Sequence, residues 1–210
     1  MERRRVTVRP MGTLDFWFEF ASTYSYPAAM RIGPLAESAG VTVRWRPFLL
    51  GPVFKAQQGW EDSPFNIYPA KGRYMWRDLE RICAAQKLPF VKPAVFPQNT
   101  LVAARVALIA LAQGWGEDFC RGIYSAEFGH GRDIGEAFAV ADVINALGRN
   151  PDAVIEESRT QANKDALREQ TEQALRLDIF GAPSFITADG ELFWGNDRLE
   201  AALAWANGQG

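Results

Sequence analysis

The strand signals in this chain cluster at its two ends, and that distribution limits the folds open to it more than any other feature. Residues 13–20 set Leu14, Phe16, Phe18 and Phe20 in alternation with Asp15, Trp17 and Glu19, an aromatic-rich period of two that predicts a strand. The next segment, Ala21-Ser22-Thr23-Tyr24-Ser25-Tyr26-Pro27, puts hydroxyl residues ahead of a proline, the signature of a helix start. The helix it opens carries Ala28, Ile32, Leu35 and Ala36 on one face and ends near Gly40, with a kink or irregular turn expected at Gly33-Pro34. Residues 41–45 place Val41, Val43 and Trp45 on one face of a second strand, completing a βαβ unit.

The pattern then changes. Residues 47–70 are rich in Pro, Gly and aromatic side chains and read as a long loop, and loops of that length inside compact domains are usually functional. Helical stretches follow over 71–86, 99–113, 116–128, 136–147 and 151–177, the last charged and amphipathic from Asn163 onward. Strands return at 184–187 and 191–194, separated by Ala188-Asp189-Gly190, whose Asp-Gly pair predicts a hairpin. A helix over 197–206 closes the pattern, with Asn196 as its expected cap. The class is α/β, with a helical segment inserted after the first βαβ unit.

Composition removes several functions. A formal net charge of -2 gives no field that would draw nucleic acid or an anionic membrane, so neither is expected as a partner. The most apolar run, residues 101–111, is interrupted by Arg105 and is too short to span a bilayer. Residues 1–12, with Arg3, Arg4 and Arg5, read as a flexible extension without the apolar segment of a signal sequence. Cys83 and Cys120 lie far apart and form no Cys-X-X-Cys pair, so they read as buried helical thiols in a cytoplasmic protein. The one histidine, His130, has no Cys or His at ligand spacing, so no metal is expected. With a single candidate base and no Gly-X-Ser-X-Gly elbow, a serine hydrolase is excluded as well.

Three segments can carry chemistry. Ser22 stands at a strand-to-helix corner, where backbone N–H groups and the positive end of the helix dipole favour an anion. A hydroxyl there cannot exchange disulfides, but it can donate to a bound thiolate and hold it as a nucleophile; it can equally be a simple cap. Gly181-Ala182-Pro183-Ser184 reads either as an ordinary turn or as a cis X-Pro loop whose edge, at Ala182, pairs with an extended peptide. Asn196 and Asp197 read either as helix capping or as a grip on a ligand carboxylate and ammonium.

Taken in order, these segments resemble those of the kappa-class glutathione transferases and 2-hydroxychromene-2-carboxylate isomerases, the glutathione-using branch of the DsbA-like thioredoxin fold. Phe18-Glu19-Phe20-Ala21-Ser22-Thr23-Tyr24-Ser25-Tyr26 is similar to that family's Phe-Asp-Phe-X-Ser-Pro-(Phe/Tyr)-Ser corner, and Gly181-Ala182-Pro183-Ser184 to its cis-proline loop. Trp194-Gly195-Asn196-Asp197-Arg198 resembles the signature of the isomerases in particular; Arg46-Pro47-Phe48-Leu49-Leu50-Gly51 and Lys71-Gly72-Arg73-Tyr74-Met75 have counterparts too. The resemblance implies a thioredoxin-like domain of residues 13–46 and 178–210, with residues 47–177 as an inserted helical domain. It implies glutathione as cofactor, Ser22 as the catalytic residue at its sulfur, and Tyr24, Ala182, Pro183, Asn196 and Asp197 among its binding residues. The implied reaction converts 2-hydroxychromene-2-carboxylate to trans-o-hydroxybenzylidenepyruvate in aromatic degradation, by thiol addition, bond rotation and elimination, in a homodimer. A kappa-like transferase or peroxidase that consumes glutathione, and a non-catalytic thioredoxin-fold binding protein, are the competing readings. Lys55, Arg73 and Tyr74 are candidate contacts for an acidic aromatic substrate. Two departures stand out: the family proline after the serine is Thr23, and Gln58-Gly59-Trp60-Glu61-Asp62 replaces the usual Gly-Asn pair near the substrate.

Overall fold

The computed structural model describes residues 12–209. The expected N-terminal extension therefore lies outside the described residues, except for Gly12, which belongs to the first strand instead.

Four strands form one mixed sheet in the order β2-β1-β3-β4. Strand β1 (Gly12–Phe18) runs parallel to β2 (Val41–Pro47), with Phe16 opposite Trp45, and the helix α1 (Ser25–Ala39) makes the crossover. Strand β3 (Ser184–Thr187) lies antiparallel to β1 and pairs Phe185 with Phe16; β4 (Leu192–Trp194) adds an outer hairpin strand. As an inner strand, β1 is covered on both faces. Leu14, Phe16 and Phe18 enter the main core, while Trp17 enters a second cluster with Phe48, Val53, Ala174, Ile179 and Ile186. Trp17 and Glu19, which alternate with these rings, are thus buried as well, because helices occupy the side they face. Asp15 alone of the three stays polar-facing, bound by Arg44 at 2.5 and 2.8 Å on the neighbouring strand.

Between β2 and β3 the chain forms α2 (Leu50–Gln58), α3 (Pro64–Ile67), α4 (Pro69–Gln86), α5 (Leu101–Ala112), α6 (Gly116–Tyr124), α7 (Ala137–Ala146), α8 (Pro151–Ser158) and α9 (Gln161–Arg176). A π-helical turn, Ser125–Gly129, extends α6. After the hairpin, a 3-10 turn, Asn196–Arg198, leads into α10 (Leu199–Ala206). Among the described residues no helix is long and apolar enough to cross a membrane.

Three expectations need correction. Residues 47–70 are mostly helical, and their punctuation explains how: Pro64 and Pro69 occupy first turns, where a missing N–H costs nothing, and Gly59 ends α2 with φ +67°. The stretch 151–177 is two helices, because Thr160 leaves the helical conformation and its hydroxyl accepts from the Asn163 N–H at 3.4 Å. Finally, α1 runs unbroken from Ser25 to Ala39 with Pro34 inside it.

The main core is a single cluster joining Phe16, Phe18 and Trp45 of the sheet to Ile32 of α1, Val106 of α5 and Phe119 of α6. Cys83 and Cys120 are free and buried in α4 and α6, as their spacing led one to expect. Gly72 lets α4 lie directly on α3: a Cβ there would run into the Phe65 carbonyl.

Candidate active site

The corner after β1 makes two tight turns before α1 begins. The Ser22 N–H donates to the Glu19 carbonyl at 3.0 Å, and the Ser25 N–H to the Ser22 carbonyl at 3.1 Å. Helix α1 then starts at Ser25 without any side-chain cap. Ser22 is therefore not a helix cap; its hydroxyl turns across to the other end of the chain and donates to the Ala182 carbonyl at 2.8 Å. The Ala182–Pro183 bond is cis. Two candidate segments, 160 residues apart, thus meet in one hydrogen bond. The Ala182 edge is correspondingly not free, since Ser22 engages its carbonyl.

Two further bonds fix the corner to α4. The Thr23 hydroxyl donates to the Met75 sulfur at 3.1 Å, and the Tyr24 hydroxyl to Asp78 at 3.0 Å. Burial pushes the Tyr24 phenol well up, and the Asp78 hydrogen bond adds to the effect, so Tyr24 remains a hydrogen-bond donor and not a base.

The third candidate segment is not arranged as a helix cap. Asn196 does not cap α10, which begins three residues later after the 3-10 turn. Instead Asn196 is buried, and Arg31 of α1 holds it by donating to its carbonyl at 2.5 Å and to its side-chain oxygen at 3.2 and 3.3 Å. The same guanidinium pairs with Glu200. Asp197 is exposed beside Gly195, whose φ of +114° admits no side chain.

In front of the Ser22–Ala182 contact lies a cavity of about 740 Å³, a volume typical of small-molecule sites. Ser22, Tyr24, Ala182 and Tyr74 line it; Pro183, Asn196, Asp197, Lys55 and Arg73 do not. Lys55 stands on the outer face of α2, exposed and 3.8 Å from Glu61, and Arg73 is exposed on α4. Much of the remaining lining is aromatic: Phe54, Trp60, Phe65 and Phe96, with Phe180 and Trp194 beside the cis-proline loop. Its cation is Lys71, whose ammonium sits 5.5 Å from the Tyr68 ring centre. Lys71 was quoted in the segment running to Met75 but not named among the substrate contacts; the signal was Pro69, which starts a helix whose first turn carries that lysine to the cavity.

The most informative lining residue was not singled out from the sequence. Glu19 is buried and accepts from the Thr100 hydroxyl, while its carbonyl accepts from Tyr124 at 2.9 Å as well as from Ser22. Burial pushes its carboxyl up to about 7, against the lowering effect of Thr100 and of the Ala21 N–H. Behind it, Glu127 in the π-helical turn is fully buried with neither carboxyl oxygen partnered. Burial raises its acid well above the ordinary range, and the negative charges of Glu19 and Asp133 raise it further. Among the described residues no group of three His, Cys, Asp or Glu side chains is arranged to hold a metal ion.

Chemically, the site offers a hydroxyl donor aimed at a cis-proline carbonyl, a buried acid, one lysine and a large aromatic surface. No cysteine stands at the corner, so dithiol exchange is closed to it.

Comparison with known proteins agrees with this architecture. The family model described as DSBA-like thioredoxin domain matches residues 13–204. The chain is 32% identical to a 2-hydroxychromene-2-carboxylate isomerase from Sphingobium xenophagum, over 90% of this chain and 94% of that protein. It is 30% identical to a protein named glutathione S-transferase kappa 1 from Caenorhabditis elegans, over 89% of this chain and 87% of the relative. A solved structure of 2-hydroxychromene-2-carboxylate isomerase superposes with a TM-score of 0.83 at 28% identity, covering 94% of this chain and 95% of the other.

Proposed function

The chain belongs to the family of DSBA-like thioredoxin domains, alongside isomerases and glutathione transferases, and from that membership we propose that it is a glutathione-dependent isomerase of the 2-hydroxychromene-2-carboxylate type. The observation that carries this reading is the 2.8 Å bond between the Ser22 hydroxyl and the carbonyl before the cis-proline, at the wall of an aromatic cavity. A hydroxyl so placed can turn from that carbonyl to a bound thiolate, and the freed carbonyl then accepts from the peptide N–H of the cysteinyl residue that carries the thiol. Asn196 and Asp197 lie beyond the cavity lining, where the γ-glutamyl end of an extended tripeptide leaves it. The aromatic wall suits a planar conjugated acid, with Lys71 to pair its carboxylate. Thiol addition converts the double bond to a single bond, rotation follows, and elimination releases glutathione unchanged. Homodimeric assembly and a cytoplasmic location follow from the same family reading.

A kappa-like transferase is favoured by one feature. Trp60, Glu61 and Asp62, from the segment that departs from the isomerases, line the cavity and alter the space for the electrophile.

Glutathione binding and turnover of wild type and Ser22→Ala test both readings. Wild type is expected to bind glutathione at millimolar concentrations or below, with the thiolate's ultraviolet absorption appearing near neutral pH. Loss of this donor should lower turnover about 10²–10³-fold, the usual cost of removing one donor to a reacting anion. Failure of wild type to bind glutathione would remove the proposal. Total free thiol that stays constant during turnover marks the isomerase, and its loss marks the transferase.

A further inference from the structure

Resting on the glutathione reading of the site, we propose that Glu19 is its proton carrier: the carboxylate takes the proton of the thiol bound at Ser22 and delivers it to the electrophile during addition. The balance closes within the site. On binding, the S–H bond breaks and a carboxyl O–H forms. On addition, a C–S bond forms from the thiolate while that proton moves to the carbon that gains negative charge. Elimination reverses both transfers and returns Glu19 ionised and glutathione intact, so no further reactant is needed.

The geometry singles out this residue. Glu19 lines the cavity that Ser22 lines, and a turn hydrogen bond of 3.0 Å ties the two backbones. The other acids on the cavity are committed or solvated. Asp62 accepts from the Ser63 N–H at 2.6 Å and from the Asn66 amide at 3.1 and 3.2 Å, and the Glu61 side chain is 85% exposed. The groups that face Glu19 are the Thr100 hydroxyl ahead of α5, the Tyr124 hydroxyl from α6 on its carbonyl, and the Glu127 carboxyl of the π-helical turn, with Asp133 beyond Glu127. None of them is a cation that would hold Glu19 permanently ionised. Its acid therefore changes state near pH 7, where a general base is most useful. Glu127 does not line the cavity, and its unpartnered, fully buried oxygens keep it neutral, so the proton exchange falls to Glu19.

The test counts protons. Calorimetry of glutathione binding at pH 8, repeated in buffers of different ionisation enthalpy, should show nearly no proton released by wild type, because the negative thiolate formed beside Glu19 raises its acid further and the carboxyl keeps the proton. Glu19→Gln should release close to one. S-methylglutathione, which has no thiol proton, should release none with either protein. Glu127→Gln should behave as wild type. Turnover of Glu19→Gln should fall about 10²–10⁴-fold with a much smaller change in KM for glutathione. If Glu19→Gln does not fold, Thr100→Val serves instead: it removes the bond that favours the charged carboxylate, so proton retention should begin at higher pH. Equal proton release by wild type and Glu19→Gln, or an effect confined to Glu127→Gln, would overturn the proposal. Absence of glutathione binding to wild type is a separate outcome and sinks the glutathione reading itself.

Discussion

The two walls of the cavity are built in opposite ways. The Ser22 wall is short, buried and held by backbone: turns at Glu19 and Ser22, the cis bond before Pro183, and side-chain ties from Thr23 and Tyr24 to α4. The facing wall is made of rings on α2, α3 and the loops around them, with Trp60 tilted against Phe54 at 6.2 Å and edge-on to Tyr68 at 6.1 Å. The contrast teaches a division of labour. Groups that must sit within tenths of an ångström of a reacting atom are fixed by the main core, whereas surface that only selects a shape is carried by side chains that can repack.

Substitutions can break this contrast. Phe18 lies fully buried at the end of β1, beneath the corner, and packs edge-on against Phe20 and Trp45 at 5.4 Å. Phe18→Ala should cost about 3–5 kcal/mol of stability, measurable by denaturant unfolding, because the wall beneath Ser22 cannot collapse into the gap. The pH dependence of stability should be nearly as large. Glu19 has a folded pKa of about 7, above that of the unfolded chain, so its favourable contribution is complete in acid and lost as pH rises through 7. Between pH 4.5 and pH 8 wild type should therefore lose about 3 kcal/mol relative to Glu19→Gln, read from paired melting curves across pH. The smallest effect belongs to the other wall. Trp60→Ala should raise KM for the aromatic substrate about fivefold to tenfold, with kcat and melting temperature nearly unchanged, since it removes ring contacts at a half-open surface. A large fall in kcat there would show that the two walls are not separable.

How much of this was legible in the sequence follows the same line. The period-two rings of β1, the Asp-Gly hairpin and the cis-proline loop are local signals, and each appears where the residues place it. The cavity roof was misread because Pro and Gly mark helix boundaries as readily as loops, and only packing decides between them: Gly72 against Phe65 closes α3 onto α4. Glu19 was not singled out because it alternates with the rings like any other strand residue, and the hydroxyl that binds its carboxyl, Thr100, is 81 residues away. Asn196 looked like a cap from its position, but the guanidinium that claims it is 165 residues away. Long-range partners of this kind leave no local periodicity.

The placement of the two cysteines has a practical consequence. Burial pushes Cys83 up to about 11 and Cys120 well above the ordinary thiol range, so near neutral pH neither is a thiolate, the form that peroxides and alkylating agents attack. At the corner itself this chain has the Ser22 oxygen, which cannot be capped by a mixed disulfide. Its folded form should keep full activity after treatment with hydrogen peroxide or iodoacetamide and dialysis. Under the glutathione reading, every reactive thiol in a working assay then belongs to the small molecule, and the protein contributes hydrogen bonds and a proton carrier but no thiol of its own.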